Sequence, residues 1–234
     1  MGTFSDSLTL AAALVAHLDP RFVDIVALSL RVSLTATALA ACVGLPLGAA
    51  IAVGRFPGRQ ALTVLLNAMM GLPPVVVGLV VYLLLSRAGP LGAFGVLFTP
   101  AAMIVAQTIL ITPIIAALSR QVVADAWAEY REQLTSLGAG TASAALTLTW
   151  DTRFSLATVL LAGFGRAIAE VGAVMIVGGN IDGVTRVMTT TIALETSKGD
   201  LPLALGLGIV LIAIVLAVNA AAQLVREWAR VRYG

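Results

Sequence analysis

Apolar residues come along this chain in long runs rather than at the three-and-four spacing of a helix with one wet side. The runs therefore predict helices that are apolar all round. The first extends from about Asp24 to Val53, long enough to cross a hydrocarbon core of about 30 Å with tilt to spare. Within it, Gly44-Leu-Pro-Leu-Gly48 sets two glycines four apart, which lets another helix approach closely, while Pro46 removes a backbone donor. A second run, Ala61 to Leu85, is broken by Gly71-Leu-Pro-Pro74. Backbone groups freed there cannot face lipid, so the break at Pro73 and Pro74 is expected to point into protein or a water-filled cavity, as a structural kink or as part of a path. A third run, Thr99 to Leu118, contains Gln107, Thr108, Thr112 and Pro113. A fourth, Phe154 to Val177, ends at Gly178-Gly-Asn180, and a fifth, Pro202 to Val225, leads into Arg226-Glu-Trp-Ala-Arg-Val-Arg232. The pattern predicts an all-α, polytopic transmembrane helical bundle with about five core transmembrane helices.

Composition agrees. Of 234 residues, 59% are hydrophobic and 11% charged, and the mean hydropathy is +1.02. Fourteen Lys and Arg with twelve Asp and Glu cannot cover a water-soluble domain of this length, so the surplus apolar surface must face hydrocarbon or other helices. The net charge of +2 comes from scattered arginines at the ends of the runs, a topology signal rather than a nucleic-acid footprint. The single Cys42 lies in an apolar run and excludes a disulfide framework within one chain. His17 has no second ligand nearby, so no metal site is expected. Leu8 to Ala16 is apolar, but its leader contains Asp6 and no Lys or Arg, unlike a secretory signal. Nine helical residues rise only about 14 Å, too little for a crossing. Residues 1–21 are therefore read as an N-terminal interfacial segment and 22–234 as a transmembrane domain, with residues 119–153 as a cytoplasmic segment.

Five spans put the termini on opposite sides. With the N-terminus outside and the C-terminus inside, the cytoplasmic segments hold Arg55, Arg59, Arg120, Arg131, Arg153, Arg226, Arg230 and Arg232. The outer segments and the outer end of the first span then hold Arg21, Arg31, Arg87, Arg186 and Lys198. The positive-inside rule favours that orientation. Arg166 and Glu170, four apart within the fourth run, are expected on one helix face. Charges at that depth cost roughly 2.5 to 3.5 kcal/mol each on insertion scales and so face the bundle interior, either orienting helices or lining a path or gate. Beyond them, Val184, Val187, Met188 and Ile192 fall on one face of a short amphipathic helix from Val184 to Lys198. There Arg186 and the hydroxyls of Thr189, Thr190 and Thr191 could accompany an anion; an ordinary interfacial helix has the same pattern.

The polar interruption from Ser119 to Arg153 places Leu134, Leu137, Ala144, Ala145 and Leu148 at near-helical spacing, predicting two short amphipathic helices joined at Gly138-Ala-Gly140. Within it, Glu132-Gln-Leu-Thr-Ser-Leu-Gly138-Ala139 resembles the EAA loop of ABC importer permeases, in which a Glu precedes a Gly by six residues in a cytoplasmic helix-turn-helix. The chain departs from that pattern in Gln133-Leu134, which replace paired alanines, and in Leu148, Trp150 and Asp151, which stand where the family has an Ile and a Leu-Pro. The resemblance implies that Glu132, Gln133, Leu137, Gly138 and Ala139 dock into an ATPase subunit. The stretch from Gly165 through Glu170 and Gly172 to Asn180, continuing through Thr185-Arg-Val-Met188 to Asp200, resembles tungstate-type ABC permeases. So do Leu72-Pro-Pro74 and Gly89-Pro-Leu-Gly92. Molybdate permeases share the Glu-x-Gly pattern of Glu170 and Gly172.

The resemblance implies a MetI-like permease fold, a homodimer, two ATPase subunits that use ATP and Mg, and an external, periplasmic or lipid-anchored, solute-binding protein that delivers the oxyanion. The localisation it implies is the prokaryotic cytoplasmic (inner) membrane. No Gly-x-x-x-x-Gly-Lys-Ser/Thr phosphate loop occurs, so ATP hydrolysis is expected in a partner and no cofactor in this chain. The expected path or gate residues are Pro73, Pro74, Arg166, Glu170, Gly172, Arg186, Thr189 and Thr190. The competing readings are a permease for molybdate or another anion and, in a different class, a secondary transporter or channel.

Overall fold

A computed structural model describes residues 19–233, with side chains as far as Trp228. Leu8–Ala16 and His17, and so the N-terminal segment up to residue 18, lie outside the described residues, as do the side chains of Arg230 and Arg232. Among the described residues there are nine α-helices and no strand: α1 (Pro20–Val53), α2 (Arg59–Met69), α3 (Pro74–Leu85), α4 (Pro100–Ser136), α5 (Thr141–Asp151), α6 (Arg153–Ile168), α7 (Gly172–Gly178), α8 (Met188–Lys198) and α9 (Leu201–Tyr233). A 3₁₀ turn at Gly92–Phe94 lies between α3 and α4. Pro20–Val53, Pro100–Ser136 and Leu201–Trp228 are each long and apolar enough to cross a membrane, and the bent pairs α2 with α3 and α6 with α7 bring the total to as many as five spans.

The helix ends follow local chemistry. α1 starts at Asp19-Pro20: the Asp19 carboxylate accepts the N–H groups of Arg21 at 2.9 Å and Phe22 at 3.3 Å, and proline at the first helical position gives up a donor that has no intrahelical partner. At the other end of α1, Arg59 donates to the carbonyls of Ile51 and Ala52, both at 2.8 Å. A cation thus satisfies two of the acceptors a helix leaves open at its C-terminus.

The chain divides into two compact units. In the first (residues 1–36, 73–107 and 165–217), α3 and α7 meet through glycines: a Cβ on Gly78 would lie 2.8 Å from Ala173 Cα, and one on Gly172 would lie 2.9 Å from a methyl of Val75. In the second (residues 37–72, 108–164 and 218–234) the expected close approach at Gly44 and Gly48 is made by α4. A Cβ at Gly48 would clash with Ser119, Ala116 and Arg120, and one at Gly44 would press on Ile115. Such contacts between small residues let dispersion and backbone polarity hold helices together where lipid removes any hydrophobic drive. Ala49, Ala52 and Val53 of α1, Val123 and Ala126 of α4, and Ala144 and Leu148 of α5 form a further buried cluster in this unit.

Four elements differ from expectation. The first of the two helices expected in the polar interruption is not separate: α4 runs unbroken from Pro100 to Ser136, because nothing between Leu118 and Ser136 breaks a helix and polarity alone does not end one. The fourth run is not one helix: it stops at Ile168 and resumes at Gly172. α8 begins at Met188 rather than Val184, residues 182–185 forming a turn. The fifth run continues as helix through the basic tail to Tyr233.

Candidate functional site

The interruption at residues 169–171 centres on Glu170, which is 5% exposed. Arg166 and Glu170 do not share a helix, since Glu170 lies past the end of α6. The pair nevertheless closes, Arg166 Nη1 donating to Glu170 Oε2 at 2.6 Å. The other carboxylate oxygen accepts Ala173 N–H at 3.3 Å. A helix that stops inside protein leaves its last carbonyls short of donors: here Ala167 O accepts the Glu170 N–H at 3.1 Å and Gln107 Nε2 at 3.0 Å, and Thr189 Oγ1 reaches Glu170 O at 2.8 Å. A cavity of about 10 Å³ beside Glu170 is lined by Ser29, Ser33, Gln107 and Thr189 among others. That is the room one water needs, and the buried Gln107 Oε1 has no hydrogen-bond partner among the described residues. Glu170 is thus walled in, while Arg166 is 42% exposed and carries the pair's charge to the surface of the chain.

The remaining expected path residues fall around this break or beyond it. Gly172 opens α7 against Val75. Pro73 and Pro74 form the N-cap and first residue of α3. Thr189 and Thr190 are buried. Besides the Thr189 bond, Thr190 Oγ1 donates to Val187 O and accepts Val187 N–H, both at 3.1 Å, which fastens the first turn of α8. Thr191 donates to Val187 O at 2.7 Å. The hydroxyl protons of all three threonines are therefore committed to backbone carbonyls. Arg186 pairs with Asp182 at 2.9 Å and, with Arg21, lines two crevices of about 370 and 310 Å³. Sequence reasoning counted Arg21 only as a topology charge; its place beside Arg186 follows from the Asp19-Pro20 start of α1 and could not be read from spacing.

In the second unit, Glu132, Gln133, Leu137, Gly138 and Ala139 gather at the turn between α4 and α5. Gly138 takes the left-handed conformation, φ 74°. Ala139 N–H then reaches Leu134 O, and Gly138 N–H reaches Thr135 O, both at 3.0 Å, the paired bonds with which a glycine closes a helix C-terminus. The near-helical apolar set divides: Leu134, Ala144, Ala145 and Leu148 pack inward with Trp127, whereas Leu137 is 77% exposed. Leu146 and Trp150 are also exposed. Glu132 and Arg131 line an open groove of about 660 Å³ with Arg55, Thr135 and Ser136. The outcome is an apolar knob held on a small-residue core, beside a groove carrying both signs of charge.

No protein-family model matches the chain. It is 45% identical over 203 residues (85% of this chain, 88% of the relative) to a probable anion ABC transporter permease protein of Haloferax volcanii. It is 42% identical over 217 residues (93% and 95%) to the tungstate uptake system permease protein TupB of Peptoclostridium acidaminophilum. To the tungstate uptake system permease protein TupB of Campylobacter jejuni it is 38% identical over 164 residues (70% and 69%). The first two matches cover most of the chain, and with the membrane-crossing helices they make the chain a multi-pass membrane protein. By identity and coverage together, the chain belongs to the family of ABC transporter permeases that includes the tungstate uptake permeases.

Proposed function

We propose that this chain is the transmembrane permease subunit of an ATP-driven importer for a tetrahedral oxyanion, tungstate in the first instance. The observation that carries this reading is the α4–α5 turn: an exposed Leu137, an acidic Glu132 and a left-handed Gly138 stand on a buried core, the form a surface needs to receive force from another subunit. Glu132, Gln133, Leu137, Gly138 and Ala139 dock into an ATPase subunit, which binds ATP and Mg; its closure on ATP is transmitted through α4. A solute-binding protein delivers the oxyanion at the outer face, and two copies of the permease enclose the path. Residues 22–234 form the permease domain, with the N-terminus outside and the C-terminus inside, as the distribution of arginines favours.

Along the path, Arg166 attracts the anion, and Glu170 holds that guanidinium in place while cancelling enough of its charge that the ion is not trapped. Pro73, Pro74 and Gly172 give the break its shape. Arg186 lies toward the outer entrance, and Thr189 and Thr190 hold the local backbone. Selectivity resides chiefly in the binding protein, since no dense cluster of free donors occurs in the membrane segments among the described residues. Reconstitution of the chain with its ATPase and binding protein in vesicles is expected to give tungstate accumulation that requires ATP. Equal uptake in vesicles lacking the ATPase would replace this reading with a secondary transporter or channel. Calorimetry of the binding protein against tungstate, molybdate and sulfate separates tungstate from other oxyanions.

A further inference from the structure

Gln107 brings into the first unit a buried oxygen that no neighbour satisfies. Its side chain is 4% exposed, and its Nε2 donates to Ala167 O at 3.0 Å. That bond fixes the amide, because turning it over would set Oε1 against a carbonyl oxygen. Oε1 therefore points away from Ala167, and among the described residues it has no hydrogen-bond partner. Gln107 also lines the cavity of about 10 Å³, together with Ser29, Ser33, Glu170 and Thr189, and apolar side chains close the rest of the wall. All five polar residues are buried.

The neighbours decide what can satisfy that oxygen. Ser29 Oγ donates to Ile25 O at 2.7 Å and accepts the Met188 N–H at 2.8 Å, and Thr189 Oγ1 donates to Glu170 O at 2.8 Å. Both hydroxyl protons are committed, so these groups, like Gln107 Oε1 and the Glu170 carboxylate, offer the cavity lone pairs. An occupant must bring its own donors, which excludes an anion. A further cation is disfavoured as well: Arg166 already meets the charge of Glu170 at 2.6 Å, and a second positive charge would stand unbalanced inside a membrane-spanning unit. The volume admits nothing larger than one water, and a water carries two O–H donors.

We propose that the first unit binds one buried water between Gln107 Oε1 and the oxygens of Ser29, Glu170 and Thr189, the water donating to Oε1 and to one of the others. The site rests on the geometry of the break between α6 and α7, whichever anion the chain carries. Crystal structures of the full chain, grown once in sodium chloride and once in choline chloride, test it. At a resolution that shows other buried waters, a single peak is expected in both, about 2.5–3.0 Å from Gln107 Oε1, the length of an O–H···O bond. No peak in either salt would overturn the proposal. So would a peak in sodium chloride alone, which would make this a cation site. The thermal midpoint in detergent is expected to be equal in the two salts; a midpoint raised by sodium would likewise assign the cavity to a cation. Gln107→Met, unbranched and without the amide, is expected to lose the peak while Ser29, Glu170 and Thr189 stay in place. A peak that persists in that variant would show that Gln107 does not hold it and would overturn the assignment.

Discussion

Between α6 and α7 the chain leaves the helix around a buried carboxylate; between α4 and α5 it leaves around an exposed leucine. At the first interruption the carbonyl of Glu170 is met by Thr189, and that of Ala167 by Gln107 in addition to the Glu170 N–H of the same turn. At the second, the freed groups are met within the turn by Gly138 and Ala139. The difference follows from surroundings. A break walled in by protein has no bulk water to complete its hydrogen bonds and must recruit donors. A break at the surface can close on itself and leave a face for a partner. The first kind is costly to disturb and poor at moving alone; the second tolerates change in stability but not in shape.

That contrast can be broken by substitution. The largest effect is expected from Arg166→Met, which leaves Glu170 buried without its cation. Removing one member of a buried pair costs about 3–5 kcal/mol, and with Arg166 half exposed the loss is expected toward roughly 2–3 kcal/mol, read as a fall in thermal midpoint in detergent. The double variant Arg166→Met/Glu170→Leu is expected to regain much of that loss; a double variant worse than the single would mean that the pair acts directly in transport. Next in size, Thr189→Val strands the carbonyl of Glu170 and is expected to cost about 1–3 kcal/mol. A midpoint equal to wild type would show that the break does not depend on this bond.

At the exposed turn the expected order is reversed between stability and coupling. Gly138→Ala must hold a Cβ at positive φ, at about 1 kcal/mol, and is expected to lower transport-coupled ATP turnover more than its small loss of stability would suggest. Leu137→Ser has the smallest effect on stability, within about 0.5 kcal/mol as for other surface positions, yet is expected to weaken binding of the ATPase subunit severalfold in a pull-down titration. Undiminished affinity in Leu137→Ser together with Glu132→Ala would remove the docking role from this turn.

How much was legible depended on whether the determining residues were local. Gly44 and Gly48, Gly71-Leu-Pro-Pro74 and Gly178-Gly-Asn180 announce close packing or a break by their own chemistry, and the structure places a helix contact at the first, a break at the second and left-handed residues at Gly179 and Asn180. The break at residues 169–171 has no such announcement. Ala169 and Glu170 favour helix on propensity, and what stops α6 there is the fit of Gly172 to Val75, with donors from Gln107 and Thr189. Conversely, the polar stretch after Leu118 looks like a boundary between elements, though Ala, Arg, Gln and Glu continue a helix as readily in water as apolar residues do in lipid.

By itself the sequence determined the solvent, the number of apolar runs and the helix end made by Gly138. Hydropathy, proline and glycine act within a few residues and carry those decisions with them. Only the tertiary structure decided that Glu170 is enclosed while Arg166 is exposed, that Arg186 shares its crevices with Arg21, and that Gln107 lines the cavity beside Glu170. Each of these depends on which distant helix arrives beside it, and a buried charge or an orphaned carbonyl is settled by its neighbours rather than by its place in the chain.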